Sequence, residues 1–86
     1  MKKLSYQKMV DTILSRRKAK NITQAQLSEM TGINRGMISR LESFEYTPSI
    51  DQLQTIAEAL EFEVIDLFEE DKQAAKTVLD KKYNIA

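Results

Sequence analysis

The stretch Thr23-Gln-Ala-Gln-Leu-Ser-Glu-Met-Thr-Gly-Ile-Asn-Arg-Gly-Met-Ile-Ser-Arg-Leu-Glu42 decides how this chain is read. Thr23 and Gln26 have the spacing of a capping box, in which each side chain satisfies an orphan amide at a helix start. The helix they open runs from Gln24 to Thr31 and stops at Gly32, which takes a positive φ without a Cβ clash. Asn34 then caps a further helix over 35–42. Leu27, Met30, Ile33, Ile38 and Leu41 are expected to pack inward. Ser28 falls where the two helices approach, so a small side chain is needed there. Arg35, Gly36, Ser39 and Arg40 are left on the outward face of the second helix.

Working outward, Tyr6, Met9, Val10, Ile13 and Leu14 recur at helical spacing and predict a first helix over 5–20. Asn21, whose short side chain tolerates positive φ, ends it. Ser43–Pro48 is a loop. Ser49 and Gln52 form a second capping box, opening a helix whose buried face is Ile50, Leu53, Ile56, Ala57 and Leu60. Val64, Ile65, Leu67 and Phe68 predict a short fifth helix. Beyond it, Ala75, Val78, Leu79 and Tyr83 can line one side of an extra helix through about 71–82. Acids at its start (Glu69, Glu70, Asp71) and lysines at its end suit the helix dipole. Glycine and proline are scarce and no alternating β-branched run occurs, so the expected class is all-α.

At 86 residues there is room for one small domain with a modest core. The chain has no cysteine and no histidine, which excludes a disulfide and argues against a structural zinc site. No phosphate-cradling glycine loop and no nucleophile-base constellation is present, so neither an enzyme nor a cofactor is expected. No apolar run reaches membrane-spanning length and no signal region follows Lys2-Lys3, so a cytoplasmic protein is the default reading. The net charge of zero conceals a division. Residues 1–42 hold nine Lys and Arg against three acids, a net +6; residues 43–86 hold four lysines against ten acids, a net −6. The overall pI of about 6.3 therefore does not exclude a polyanion-binding surface on the first half.

Two short helices at a tight turn, the second with a polar free face, is the layout of a DNA-reading helix-turn-helix. An α-helix fits the major groove, where every base pair shows a distinct donor and acceptor pattern. Arginine bridges guanine O6 and N7, a contact worth ~1–3 kcal/mol of discrimination. Gly36 costs about 1 kcal/mol relative to alanine inside a helix, and its bare backbone allows close approach to a base or sugar edge.

Residues 13–68 resemble the Cro/C1-type (XRE-like) helix-turn-helix family of phage repressors and bacterial regulators. The resemblance rests on Arg17, Thr-Gln-Ala-Gln-Leu-Ser at 23–28, Gly32, Ile-Ser-Arg-Leu-Glu at 38–42, Pro48-Ser49 and Asp-Leu-Phe at 66–68. It implies a compact five-helix lambda-repressor-like domain over 1–69, with residues 70–86 as a dimerisation segment or linker. It also implies a DNA-binding transcriptional regulator acting as a homodimer on double-stranded DNA. Arg35, Gly36, Ser39 and Arg40 would face base edges, Gln24 a phosphate, and Asn34 the backbone. Arg17, which reads as a DNA contact by charge alone, pairs in the family with the acid at the end of helix three, here Glu42. Met37 is expected at the rim of the core.

Two departures stand out. The family often carries a basic, glycine-containing loop after helix three, but here it is Ser43-Phe44-Glu45-Tyr46. Glu45 would repel a phosphate, which shifts backbone contacts onto the hydroxyls of Tyr46 and Thr47. Glu61 stands where the family ends helix four with glycine. A second functional reading stays open: an interaction module, either an antitoxin or an N-terminal domain fused to a larger enzyme. The final Lys81-Lys82-Tyr83-Asn84-Ile85-Ala86 is similar to the opening strand of nucleotide-sugar dehydrogenases.

Overall fold

A computed structural model describes residues 2–70. In chain order these form β1 (Lys2–Leu4), α1 (Tyr6–Ala19), α2 (Gln24–Thr31), α3 (Arg35–Glu42), α4 (Ile50–Leu60), a 3₁₀ turn at Val64–Leu67, and β2 (Phe68–Glu70). The domain is thus mostly helical, with four α-helices.

Each α-helix begins at a side chain that accepts a hydrogen bond from an otherwise orphan amide. Ser5 receives Lys8 N, Thr23 receives Gln26 N, Asn34 receives Gly36 N and Ser49 receives Gln52 N. Thr23–Gln26 and Ser49–Gln52 are both complete capping boxes. Left-handed residues then turn the chain: Asn21 at φ 56° follows α1, Gly32 at φ 74° ends α2, and Glu61 at φ 59° ends α4.

Met9, Val10 and Ile13 of α1 meet Leu27, Ile38, Leu41, Leu53, Ile56, Ala57 and Leu60 in one core, closed at its end by Phe62 and Leu67. Met37 packs half-buried against this core. Two expected core members are not in it. Met30 is 52% exposed because the inward row of α2 is Gln24, Leu27, Ser28 and Thr31, and Met30 lies just off that row. Ile50 is 68% exposed: it is the first residue of α4, and side chains lean toward a helix's N-terminus, carrying this one off the packed layer.

The predicted fifth helix is corrected. Val64–Leu67 is a single 3₁₀ turn, with Leu67 buried and Ile65 71% exposed. The Leu67 carbonyl accepts from Ser5 N at 2.9 Å, so it is diverted from any continuing helix. Phe68 is extended and enters β2. The helical class expected from sequence holds, and a short two-stranded ribbon is added to it. β1 and β2 pair antiparallel, matching Lys2 with Glu70, Lys3 with Glu69 and Leu4 with Phe68. Opposite charges therefore face each other across the ribbon, an arrangement that favours this register. The expected helix over 71–82 lies outside the described residues.

Candidate nucleic-acid interface

The turn between α2 and α3 is held by hydroxyls. Ser28 Oγ donates to the Ile33 carbonyl at 2.6 Å. Thr31 Oγ1 donates to the Leu27 carbonyl at 2.7 Å and accepts from Ile33 N at 3.2 Å. Ser28 is therefore more than a small residue at a close approach; it satisfies a carbonyl that the left-handed step at Gly32 takes out of the helix. The roles of Ser28 and Thr31 as clamps were missed from sequence, although two hydroxyls in the last turn before a helix-ending glycine are a visible signal.

Two anchors then fix the orientation of α3. Along its length Ile38 and Leu41 are buried in the core. At its C-terminus Glu42 is bound by Arg17 of α1 through two parallel bonds, Nε to Oε2 at 2.7 Å and Nη2 to Oε1 at 2.9 Å. Arg17 Nη1 also donates to the Ile22 carbonyl at 2.8 Å. These side chains are only 11% and 6% exposed. A glutamate in the last turn of a helix opposes the helix dipole, and the guanidinium offsets it. In return the Glu42 carboxylate holds Arg17 above its ordinary pKa, chiefly through the hydrogen bond between them. The Arg17 charge is thus turned inward and away from the surface.

Gln24, at the first position of α2, donates Nε2 to Glu42 Oε1 at 3.0 Å. An amide nitrogen carries two protons, so one remains for an outside acceptor. This bond fixes Gln24 beside the end of α3.

With these anchors in place, Arg35, Gly36, Ser39 and Arg40 form the solvent-exposed face of α3. Among the described residues none of the side chains of Arg35, Ser39 and Arg40 has a hydrogen-bond or ion-pair partner. Asn34 is exposed, with its Oδ1 held by Gly36 N at 2.7 Å. A Cβ at Gly36 would lie 3.0 Å from that same oxygen. The glycine therefore has a local cause, the cap, beside any need for close approach to a base.

In the loop after α3 the two hydroxyls expected to meet the DNA backbone differ. Thr47 is exposed, whereas Tyr46 is half-buried and its hydroxyl donates to Gln52 Oε1 at 2.7 Å. The Tyr46 carbonyl accepts from Tyr6 at 2.9 Å. Phe44, in the left-handed region at φ 63°, is held against the Tyr6 ring edge-on at 5.6 Å. Among the described residues no helix is long and apolar enough to cross a membrane.

A family model described as Helix-turn-helix matches residues 13–67. The cryptic phage CTXphi transcriptional repressor RstR of Vibrio cholerae serotype O1 (strain ATCC 39315 / El Tor Inaba N16961) is 37% identical over 60 residues. That match covers 70% of this chain and 54% of the repressor, so the chain spans about half the length of this relative. The crystal structure of the wild-type restriction-modification controller protein C.Esp1396I superposes with a TM-score of 0.64 at 26% identity, over 72% of this chain and 82% of the controller. With the matched segment running from α1 through the 3₁₀ turn and enclosing the capped α2–turn–α3 unit, the chain belongs to the XRE-type helix-turn-helix family.

Proposed function

We propose that this chain is a sequence-specific, double-stranded DNA-binding transcriptional regulator that acts as a homodimer, with α3 of each copy in the major groove. The observation that carries this reading is the outward face of α3: two arginines and a serine, rigidly mounted and without partners among the described residues, on the second helix of a helix-turn-helix. A repressor and a controller protein among its relatives support it.

In this reading Arg35, Gly36, Ser39 and Arg40 meet base edges. The second Nε2 proton of Gln24 goes to a phosphate, with Asn34 and Thr47 beside the backbone. Tyr46 joins them only by giving up its bond to Gln52. Phosphate contacts set the register and base contacts select the sequence. The regulator works by occupancy, excluding or recruiting other proteins, and performs no chemistry.

The test is affinity for duplex DNA as a function of salt. Each phosphate neutralised by a cation releases condensed counterions, so log K falls linearly with log salt, with a slope of roughly −0.9 per contact. A steep fall on a selected operator, with weaker binding to random duplex, is the expected result. No binding at low salt would overturn the proposal.

A further inference from the structure

The two arginines of α3 differ in where they stand on the helix, and that difference constrains the sequence they can read. Arg35 is the first residue of α3 and Arg40 lies five positions on. With a rise of about 1.5 Å per residue, their Cα atoms are separated by ~7.5 Å along the axis. That is about two steps of a duplex that advances ~3.4 Å per base pair. At about 100° per residue they are also ~140° apart around the axis, so they leave opposite flanks of the exposed face. A helix lying in the groove then presents one arginine toward each strand.

Between these flanks the face offers little that can read a base. Gly36 has no side chain, and it is held bare by the cap: its Cβ would crowd the Asn34 Oδ1 that caps the helix. Ser39 is short, and a hydroxyl both donates and accepts, so it distinguishes bases poorly. Both arginines are exposed and have no competing acid among the described residues. An arginine's fork of donors matches the O6 and N7 acceptors of guanine, the commonest specific major-groove contact.

We infer that each half-site contains two G·C pairs two steps apart, with their guanines on opposite strands. The pair between them is read weakly. Arg35 and Arg40 are the residues that determine these two positions. This inference rests on the DNA-binding reading above and adds to it the identity and spacing of the bases.

The experiment is selection of bound duplexes from a random pool by the full 86-residue chain, run in parallel for the unmodified protein, Arg35→Ala and Arg40→Ala. Both side chains are exposed, and far-UV circular dichroism checks that the variants remain folded. The unmodified protein should enrich half-sites with the spaced, opposite-strand guanines. Each variant should lose one of the two G·C columns and keep the other. Replacing either guanine with 7-deazaguanine, which removes N7, should weaken binding about tenfold or more. Enriched half-sites without that pair, or two variants that keep the parent's preference, would overturn the spacing while leaving DNA binding intact. No enrichment of any duplex would overturn the inference together with the reading beneath it.

Discussion

Glu61 ends α4 at φ 59° and ψ 51°, a left-handed conformation in which any Cβ is crowded by the following carbonyl. The residue makes two contacts to the end of α1 and its C-cap. Lys20 Nζ lies 2.9 Å from Glu61 Oε2, and Arg16 Nη1 donates to the Glu61 carbonyl at 3.3 Å. The second uses only backbone, so it survives replacement of the side chain. The first is an exposed ion pair, a class that contributes little to stability. Glu61→Gly is therefore expected to raise the melting temperature by a few degrees. The Lys20 hydrogen bond holds the Glu61 carboxyl below its ordinary pKa. A carboxylate with a depressed folded-state pKa contributes stability above its unfolded pKa and loses it as pH falls through the folded one. The parent thus loses its ion pair in acid and the variant has none to lose, so the gain from glycine should widen as pH falls below the ordinary carboxylate range. Thermal melts at neutral and acid pH check both parts; an unchanged or lowered melting temperature would refute the strain. The departure at Glu61 was legible because the resemblance marks a glycine there. The rescue by Lys20 and Arg16 was not, since more than forty residues of chain separate the partners.

At the scale of the element, the start of α3 shows two local preferences in conflict. Asn34 stabilises the helix by capping it, an arrangement worth about 1 kcal/mol over alanine. Gly36 weakens the same helix by a similar amount relative to alanine. The geometry couples them, because a Cβ at Gly36 would sit 3.0 Å from the capping oxygen. Gly36→Ala alone should therefore gain less than its helix propensity promises, since the new methyl displaces the cap. In an Asn34→Gly background the obstacle is gone, and the same substitution should gain about 1 kcal/mol. Urea denaturation of the four proteins in a double-mutant cycle measures the coupling. Strict additivity would show that the cap and the glycine are independent. Capping residues, turn glycines and inward rows act over a few positions, which is why both ends of α2 and the starts of α3 and α4 could be read from residues. β1 and β2 could not: Lys2-Lys3 and Glu69-Glu70 have meaning as strands only once the helices bring them together. The face of α3 was legible for a local reason, its short amphipathic period. The bond from Gln24 to Glu42 and that from Tyr46 to Gln52 depend on three-dimensional placement.

For the whole molecule, the proposed dimeric reading asks what would hold two copies at the spacing a duplex demands. A helix in each of two successive major grooves implies a separation of ~34–36 Å. In that reading a domain this small would gain affinity from the second copy. Among the described residues, Ile65 is the most exposed of the large hydrophobic side chains, at 71%. It stands on the 3₁₀ turn, which was read from sequence as a helix. Its neighbour Leu67 is buried and accounts for the turn's attachment to the core. Ile65 contributes little to that attachment and is thus available to a second copy. Ile65→Asp should leave the melting temperature of the dilute protein nearly unchanged, because little surface is buried there to lose. It should also shift sedimentation toward the monomer and reduce affinity for a palindromic operator to that of an isolated half-site. A lowered melting temperature with unchanged sedimentation would assign Ile65 to the fold. Unchanged sedimentation and unchanged operator affinity would place the dimer contact elsewhere on the chain.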